Sequence, residues 1–287
     1  MLAALLCAAL VCGCGVGEFG PAALSAPQGE AKPKPTPRTG RDGAPLVPVK
    51  KGEYPLGGDP QLDDWDQLPA RSFRVKKTFF IQKYEVTNWL YARFLNSAGY
   101  RGEDPTKGFG SQGRQVLLRT TSPWCHIRWD TKRYIVDAGW EDHPVVCVTW
   151  FGATAYAKFY RMKLPSEEQW EVAARGAKGN TFPWGNTWRA DRLCWALRPG
   201  PASPPTVAVG SIGKRGESWC GAADMAGNVA EWTRSPCDVG LVDGSKYVIR
   251  GGSWLNDESQ RVLFHGARRA FADADEASPA IGFRCVK

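Results

Sequence analysis

The second half of this chain contains too many turn-forming residues for long helices. After Gly176, glycine and proline recur at short intervals, and apolar runs such as Tyr247–Arg250 are long enough only for brief strands. The whole chain contains 32 Gly, 21 Pro and 13 Trp, which indicates many turns packed around large aromatic side chains. The sequence therefore predicts a single irregular α+β domain with low regular secondary structure.

Three helices are predicted before that point. Thr87 and Thr149 each precede an apolar segment with helical spacing and are suitable N-cap residues. Ser166 and Gln169 have the spacing of a capping box, in which each side chain bonds to the other residue's main-chain N–H. We expect Trp89 to lie on the buried face of the first helix.

Short strands are predicted where apolar residues alternate or cluster between turn signals. These segments are Lys76–Ile81, Val145–Val148, Val207–Val209, Tyr247–Arg250 and Phe283–Val286. Residues 100–143 are rich in glycine and charge, which predicts long loops with one hairpin at Tyr134–Val136.

The N-terminus has the features of an export signal. Leu2–Val11 is almost wholly apolar and too short to cross a bilayer as a helix. It leads into Gly13 and Cys14, an order that resembles a bacterial lipobox. We therefore predict a lipoprotein signal peptide over residues 1–14, with Cys14 lipidated and the chain anchored to the cell envelope. By analogy with Gram-negative lipoproteins, Gly15 favours the outer membrane; a plain cleaved signal peptide is the alternative.

Residues 15–46 are predicted to be a disordered tether. Prolines alternate there with lysines and arginines without hydrophobic periodicity, so the segment cannot bury enough apolar surface to fold. A tail without a function is the alternative interpretation. The folded domain is then expected over residues 47–287. The net charge of +8 accompanies no nucleic-acid motif, so no nucleic-acid partner is predicted.

Cysteine and histidine give no clear site by spacing alone. Six cysteines remain after Cys14, and an exported compartment permits disulfides without the sequence choosing a pairing. No Cys-x-x-Cys pair occurs, and the histidines are scattered, so a zinc site is not predicted. The six cysteines are Cys125, Cys147, Cys194, Cys220, Cys237 and Cys285.

Several segments, taken in order, resemble one enzyme family. The segment Asp224–Trp232, the Gly-Gly-Ser turn at Arg250–Trp254 and the final Gly282–Cys285 are similar to the formylglycine-generating enzyme, or sulfatase-modifying factor, family. His143–Trp150 and Leu164–Gly176 resemble its central blocks. The resemblance covers about residues 47–287. It implies a single domain of low regularity that is related to C-type lectins.

The resemblance also implies a calcium site. Members use an Asx side chain, two main-chain carbonyls and a glutamate, which by motif are Asp224, Gly227, Val229 and Glu231. Such a set suits calcium, which prefers six to eight hard oxygen ligands in a flexible loop. The alternative is that Asp224 caps a turn and Glu231 pairs with a basic residue.

The catalytic centre implied by the family is altered in this chain. Members that make formylglycine bind copper(I) through two cysteine thiolates, soft ligands that select this ion. Here Asn256 and Arg261 occupy those positions, so copper is not expected. Ser253 is retained, whereas Ala230 stands where the family has a tryptophan.

These differences favour a binding function over catalysis. We expect a crevice formed by Ser253, Asn256, Arg261, His265 and Arg268 to bind a peptide or polar ligand, as part of a membrane-anchored binding or assembly module with an envelope protein or peptide as partner. The alternative is an enzyme of the same family with other chemistry, either an oxidoreductase or a sulfatase-maturation-like enzyme. A third hypothesis, a formylglycine generator with displaced cysteines, demands geometry that a displaced pair rarely provides.

Overall fold

Brief strands and three helices alternate with irregular connections in the computed structural model, which describes residues 38–58, 70–107, 115–196, 205–237 and 245–287. The helices are α1 (Asn88–Ser97), α2 (Trp150–Phe159) and α3 (Glu167–Arg175). The strands are β1 (Leu46–Val49), β2 (Gly52–Leu56), β3 (Arg71–Val75), β4 (Phe79–Gln82), β5 (Thr106–Lys107), β6 (Gln115–Val116), β7 (Ile127–Trp129), β8 (Tyr134–Val136), β9 (Ala230–Pro236), β10 (Lys246–Arg250), β11 (Ala270–Asp273) and β12 (Ile281–Gly282). Short 3-10 helices cover Ala190–Arg192, Lys214–Gly216 and Glu258–Phe264.

The largest sheet of the described residues has four strands in the order β11-β10-β9-β12. β12 runs parallel to β9, and the other neighbours are antiparallel. The register places Glu231 opposite both Arg250 on β10 and Gly282 on β12. Because directly paired residues project from the same face of a sheet, this register places Glu231 and Arg250 on one face of the sheet. The remaining strands form two-stranded pairs, so the prediction of an irregular α+β domain is confirmed.

All three predicted helix starts are confirmed by their caps. Thr87 Oγ1 accepts from Leu90 N at 3.3 Å, and Thr149 Oγ1 accepts from Gly152 N at 3.1 Å. Ser166 forms the complete capping box that its spacing predicts. These side chains satisfy N–H groups that lack a partner within the helix, so each signal could be recognised locally.

The predicted burial of Trp89 is wrong. Its side chain is 48% exposed, and the Arg93 guanidinium lies 4.5 Å from the ring centroid. A cation over the indole face stabilises the ring without burying it in the core. Tyr91, one turn before Phe94, packs inward instead and contacts that ring at 5.4 Å.

Three of the five predicted strands are irregular segments in the structure. Phe283–Val286 follows β12, and Val286 forms only isolated bridges with Ile81 and Lys163. Val145–Val148 is buried, but φ of Cys147 is 56°, in the left-handed region, and this interrupts any extended ladder. Val148 forms only an isolated bridge with Leu118. Val207–Val209 is also irregular, because Val207 N donates to the Asn228 side chain at 3.0 Å instead of to a strand.

The folded region begins before the predicted end of the tether. Residues 38–46 were expected to be disordered, yet Asp42 is only 1% exposed and accepts from Gln82 Nε2 at 2.6 Å and Tyr156 Oη at 2.7 Å. β1 then pairs with β4. The proline-rich composition of this segment predicted disorder and gave no sign that Asp42 is buried. Residues Pro37–Lys287 form one compact unit; Cys14 and the signal segment lie outside the described residues.

Two packed regions hold the elements around the sheet. Tyr91, Phe94, Tyr156 and Phe283 form an aromatic cluster between α1, α2 and the segment that follows β12, with ring centroids 5.3–6.0 Å apart. Trp170 of α3 is fully buried in the second region. Among the described residues, no helix has both the length and the apolar character needed to cross a membrane.

Candidate functional site

A small cavity lies beside the Gly-Gly-Ser turn that follows β10. Its volume is about 230 Å³. Its apolar wall comes from the sheet and includes Ala230, Ile249 and Ile281. Its polar lining comes from the turn, from the segment before β11 and from the segment before β12, and comprises Arg250, Ser253, Asn256, Arg268, Arg269, Glu276 and Ser278. A charged cavity with one apolar wall can hold a small ligand that has both a polar and an apolar part.

The structure brings together three of the five predicted crevice residues. Ser253, Asn256 and Arg268 line the cavity. Arg261 is exposed on the 3-10 helix and does not line the cavity, whereas Leu263 of the same helix does. His265 lines a different groove and contacts the edge of another aromatic ring.

Asn256, at the first thiolate position, holds the turn around Ser253. Its Oδ1 accepts from Ser253 N at 2.8 Å and contacts Ser253 Oγ at 3.3 Å. The Ser253 hydroxyl also accepts from Leu255 N at 3.3 Å. Gly252 is required here, since φ is 65° and a Cβ atom would lie 2.8 Å from the Phe264 ring. The serine is therefore a turn residue bonded to an amide, without the histidine that nucleophilic catalysis uses.

Sequence reasoning missed an ion-pair network between α3 and the arginines Arg250 and Arg269. Arg250 Nη2 donates to Glu167 Oε2 at 3.1 Å and to Glu171 Oε2 at 3.0 Å. Arg269 Nε lies 2.7 Å from the same Glu167 oxygen, and Arg175 contacts Glu171 at 2.5 Å. The contacts in the structure show that Glu167 and Glu171 neutralise buried arginines.

The predicted calcium residues lie around a separate buried acidic cluster. Asp224 Oδ2 accepts from Gly210 N at 2.6 Å, and φ of Asp224 is 56°. Glu85, which the sequence did not single out, accepts from Val229 N at 3.2 Å and from Asn228 Nδ2 at 2.6 Å. Glu85 therefore positions the same loop that carries the predicted carbonyl ligands.

Burial raises the pKa of Glu85 well above its ordinary value, and the nearby charges of Asp224 and Glu231 raise it further. Burial is also the main cause of the raised pKa of Asp224. Arg284 is the guanidinium that opposes these three carboxylates. Carboxylates buried together favour a bound cation.

Glu231 does not fit the predicted calcium set. Arg284 donates to both Glu231 oxygens, with Nη2 at 2.6 Å from Oε1, and Trp170 Nε1 donates at 2.9 Å. These contacts use the acceptor positions of the carboxylate, as in the alternative that pairs Glu231 with a basic residue. Within the described residues, no group of three or more His, Cys, Asp or Glu side chains has metal-binding geometry. The predicted calcium set contains only two such side chains, those of Asp224 and Glu231, because its other two ligands are the main-chain carbonyls of Gly227 and Val229.

Cysteines lie near the cavity but do not line it in the described structure. Cys125 and Cys147 belong to one apolar cluster, which also contacts Trp254. Burial raises the pKa of Cys125 to about 12 and also raises the pKa of Cys147, so both remain thiols at neutral pH. Cys125, Cys147, Cys220, Cys237 and Cys285 form no disulfide.

Comparison with known proteins establishes the family. The sulfatase-modifying factor enzyme 1-like domain matches residues 30–287. The chain belongs to the formylglycine-generating enzyme family. It is 26% identical over 284 residues to the Bos taurus formylglycine-generating enzyme, covering 84% of this chain and 74% of that protein. Asn256 and Arg261 therefore stand at the two thiolate positions in a chain that belongs to this family.

The relatives include proteins named as formylglycine-generating enzymes and proteins named as inactive ones. The Bos taurus inactive C-alpha-formylglycine-generating enzyme 2 is 29% identical over 281 residues, with 84% of this chain and 87% of that protein covered. Family membership therefore does not show whether a chain is an active enzyme. That depends on the residues of its crevice.

Solved structures support the same fold. PvdO from Pseudomonas aeruginosa superimposes with a TM-score of 0.65 at 20% identity, covering 89% of this chain and 99% of that chain. Treponema denticola variable protein 1 gives 0.59 at 18% identity, covering 84% and 94%. At these identities the likeness concerns the fold of the formylglycine-generating enzyme family and not its chemistry.

Proposed function

We propose that this chain is an exported, membrane-anchored member of the formylglycine-generating enzyme family that binds a partner peptide or protein through the cavity beside Ser253. The observation that carries the proposal is the hydrogen bonding of Asn256 to Ser253 N and Oγ. A side chain that closes a turn is at the first thiolate position, and the exposed Arg261 is at the second. A neutral amide and a guanidinium cannot replace two soft sulfur ligands.

The surroundings of the cavity support recognition of a peptide. Leu255, between Ser253 and Asn256, is 50% exposed. Trp254 contacts the exposed Trp124 with ring centroids 5.5 Å apart. Exposed apolar and aromatic side chains beside a polar cavity are typical of a protein-binding surface. The lipobox-like Cys14 supports the membrane anchor and an envelope partner.

We also propose that calcium stabilises the loop near Asp224. Asp224 and the main-chain carbonyls of Gly227 and Val229 would hold the ion, which supplies positive charge and coordination to that loop. Glu85 and Glu231 add negative charge nearby, while Arg284 keeps Glu231 engaged. Calcium accepts this mixture of carboxylate and carbonyl oxygens.

Photo-crosslinking in intact cells tests the binding function. Benzoylphenylalanine replaces Leu255, beside the cavity, or Phe159, a control on α2 that is 43% exposed. We expect the full-length chain to crosslink to one discrete envelope protein from position 255 and not from position 159. Equal crosslinking from both positions, or none from position 255, would contradict the proposed function.

A further inference from the structure

One face of the four-stranded sheet forms the apolar wall of the cavity beside the Gly-Gly-Ser turn. The register pairs Ala230 with Ile281 and Ile249 with Ala270. Ile249 also pairs with Trp232, two residues from Ala230 on β9, so both pairs project from the same face. All four of these aliphatic residues line the cavity. A group that enters the cavity therefore meets hydrocarbon on this side.

The charged residues between these apolar positions project to the opposite face of the sheet. Arg250 donates to Glu167 and Glu171 of α3, and Glu231 accepts from Trp170 of the same helix. These charges are therefore paired on the α3 side and do not form the wall of the cavity.

The polar side chains at the other side of the cavity are hydrogen-bonded within the protein. Ser253 Oγ contacts Asn256 Oδ1 at 3.3 Å, and Asn256 Nδ2 contacts Gln260 Oε1 at 3.4 Å. Ser278 Oγ accepts from Ala280 N at 3.2 Å. Because these groups already have partners, they shape the cavity without requiring a polar ligand.

The size of the cavity limits the apolar group that fits. Sites for whole ligands are commonly larger, roughly 300–1,000 Å³, whereas the volume here is about 230 Å³. An aliphatic cavity of roughly 150 Å³ is sufficient for benzene. The cavity therefore has room for one aromatic ring or one branched aliphatic side chain, and the rest of a peptide must lie outside it.

The surface beside the cavity offers a place for the rest of the peptide. Ser253 and Asn256 line the cavity, and Leu255 between them is 50% exposed. Trp254 of the same turn contacts the exposed Trp124. The apolar wall and this exposed apolar surface are thus joined through a single turn, so one peptide can contact both.

We propose that this cavity receives one large apolar side chain of the partner peptide, either aromatic or branched aliphatic. Removal of such a side chain from water provides the binding free energy. Ala230 is assigned the role of setting the size limit, because a longer side chain at this position of the wall would occupy the cavity itself. This inference rests on the proposed function and adds the chemical class of the group recognised.

Three small uncharged probes test the proposal. N-acetylleucine amide carries an aliphatic side chain, N-acetylphenylalanine amide an aromatic one, and N-acetylglutamine amide a polar one. Each is titrated into the purified full-length chain in lipid nanodiscs, and the isoleucine methyl resonances are followed by NMR. We expect at least one apolar probe to bind roughly ten-fold more tightly than the glutamine probe. The methyl groups of Ile249 and Ile281 should shift, whereas that of Ile127, which does not line the cavity, should not.

Two variants with opposite expected effects control for misfolding. Ala230→Leu fills the cavity and is expected to weaken binding of the apolar probe roughly ten-fold. Ile281→Ala enlarges the cavity and is expected to tighten binding of the bulkier N-acetylnaphthylalanine amide. A general folding defect would weaken binding in both. Ala98→Leu makes the first substitution at an exposed position outside the cavity and is expected to have no effect.

The proposal would be overturned by equal binding of the polar and apolar probes, by no binding, or by native affinity in Ala230→Leu. The crosslink from position 255 reports separately on the proposed function. If that crosslink persists while the probes show no preference for an apolar side chain, the binding function stands and only the assigned ligand class is wrong.

Discussion

Asn256 Oδ1 lies 2.8 Å from Ser253 N and 3.3 Å from Ser253 Oγ. This pair occupies the place where the resemblance to the family implies the serine and the first copper-binding thiolate. Asn256 N also donates to Ser253 O at 3.0 Å, so side chain and main chain close the same turn. The residue that replaces the thiolate therefore stabilises the fold of the crevice.

Replacing Asn256 with Ala is expected to lower the free energy of unfolding by about 1–2 kcal/mol, because the Ser253 N–H loses its acceptor. Urea unfolding monitored by tryptophan fluorescence measures the change. Leu255→Ala, at an exposed neighbour, is the control and is expected to change stability by less than about 0.5 kcal/mol. Equal effects of the two substitutions would contradict the structural role of Asn256.

Glu231→Gln is expected to lower the free energy of unfolding by about 3–5 kcal/mol, because it leaves the buried Arg284 guanidinium without its carboxylate. The two side chains are 1% and 0% exposed. Glu53→Gln breaks the exposed pair with Arg74 and is expected to cost less than about 1 kcal/mol. Denaturant unfolding of both variants gives the comparison, and a loss below about 1 kcal/mol for Glu231→Gln would disprove the assigned importance of the buried pair.

Two histidines make stability depend on pH. The rings of His126 and His143 lie 3.4 Å and 4.5 Å from Trp140, measured between centroids. Burial lowers the pKa of both imidazoles, although Asp137 opposes the shift at His126, and His126 lowers the pKa of His143 further. The folded state therefore binds fewer protons than the unfolded state below the ordinary histidine pKa of about 6.5.

It follows that stability falls as the pH falls through about 6.5, until the pKa values of the folded state are reached. Urea unfolding at about pH 7.5 and about pH 5.5 measures this loss. The double variant His126→Gln/His143→Gln is expected to lose less stability than the native chain between these pH values. An identical loss in both proteins would show that other groups cause the pH dependence.

Calcium is expected to raise the melting temperature of the full-length chain, and more so at higher concentration, because a ligand that binds only the folded state stabilises it. Asp224→Ala is expected to abolish this increase, whereas Asp275→Ala, at an exposed carboxylate, is expected to retain it. Differential scanning calorimetry with calcium or magnesium makes the measurement. An unchanged calcium response in Asp224→Ala would rule out the proposed ligand set.

Local signals explain which parts of the fold could be predicted. Thr87 and Ser166 cap helices through residues only three positions away, so sequence spacing was sufficient. Cys147, whose backbone is left-handed, bonds through its main chain to Arg119 and Ser278. The buried Asp42 accepts a hydrogen bond from Tyr156. No short-range pattern predicts such contacts. A strand was therefore predicted at Val145–Val148, where the chain is irregular, and the tether was predicted to end too late in the sequence.

The same distinction between local signals and distant contacts applies to the candidate site. Ser253 and Asn256 share one turn, and their motif placed them together correctly. Arg261 and His265 follow closely in the sequence, but Leu263 is the residue of the 3-10 helix that lines the cavity, and neither Arg261 nor His265 does. Those two positions required knowledge of tertiary packing.

The side chains at the two thiolate positions can be tested directly by activity. The full-length chain is treated with copper(I) and oxygen, and a Cys-x-Pro-x-Arg peptide is assayed for aldehyde by mass spectrometry beside the Bos taurus formylglycine-generating enzyme as positive control. With Asn256 and Arg261 in place of two cysteines, the peptide is expected to remain a thiol. Copper-dependent aldehyde formation by this chain would contradict the account of a binding crevice.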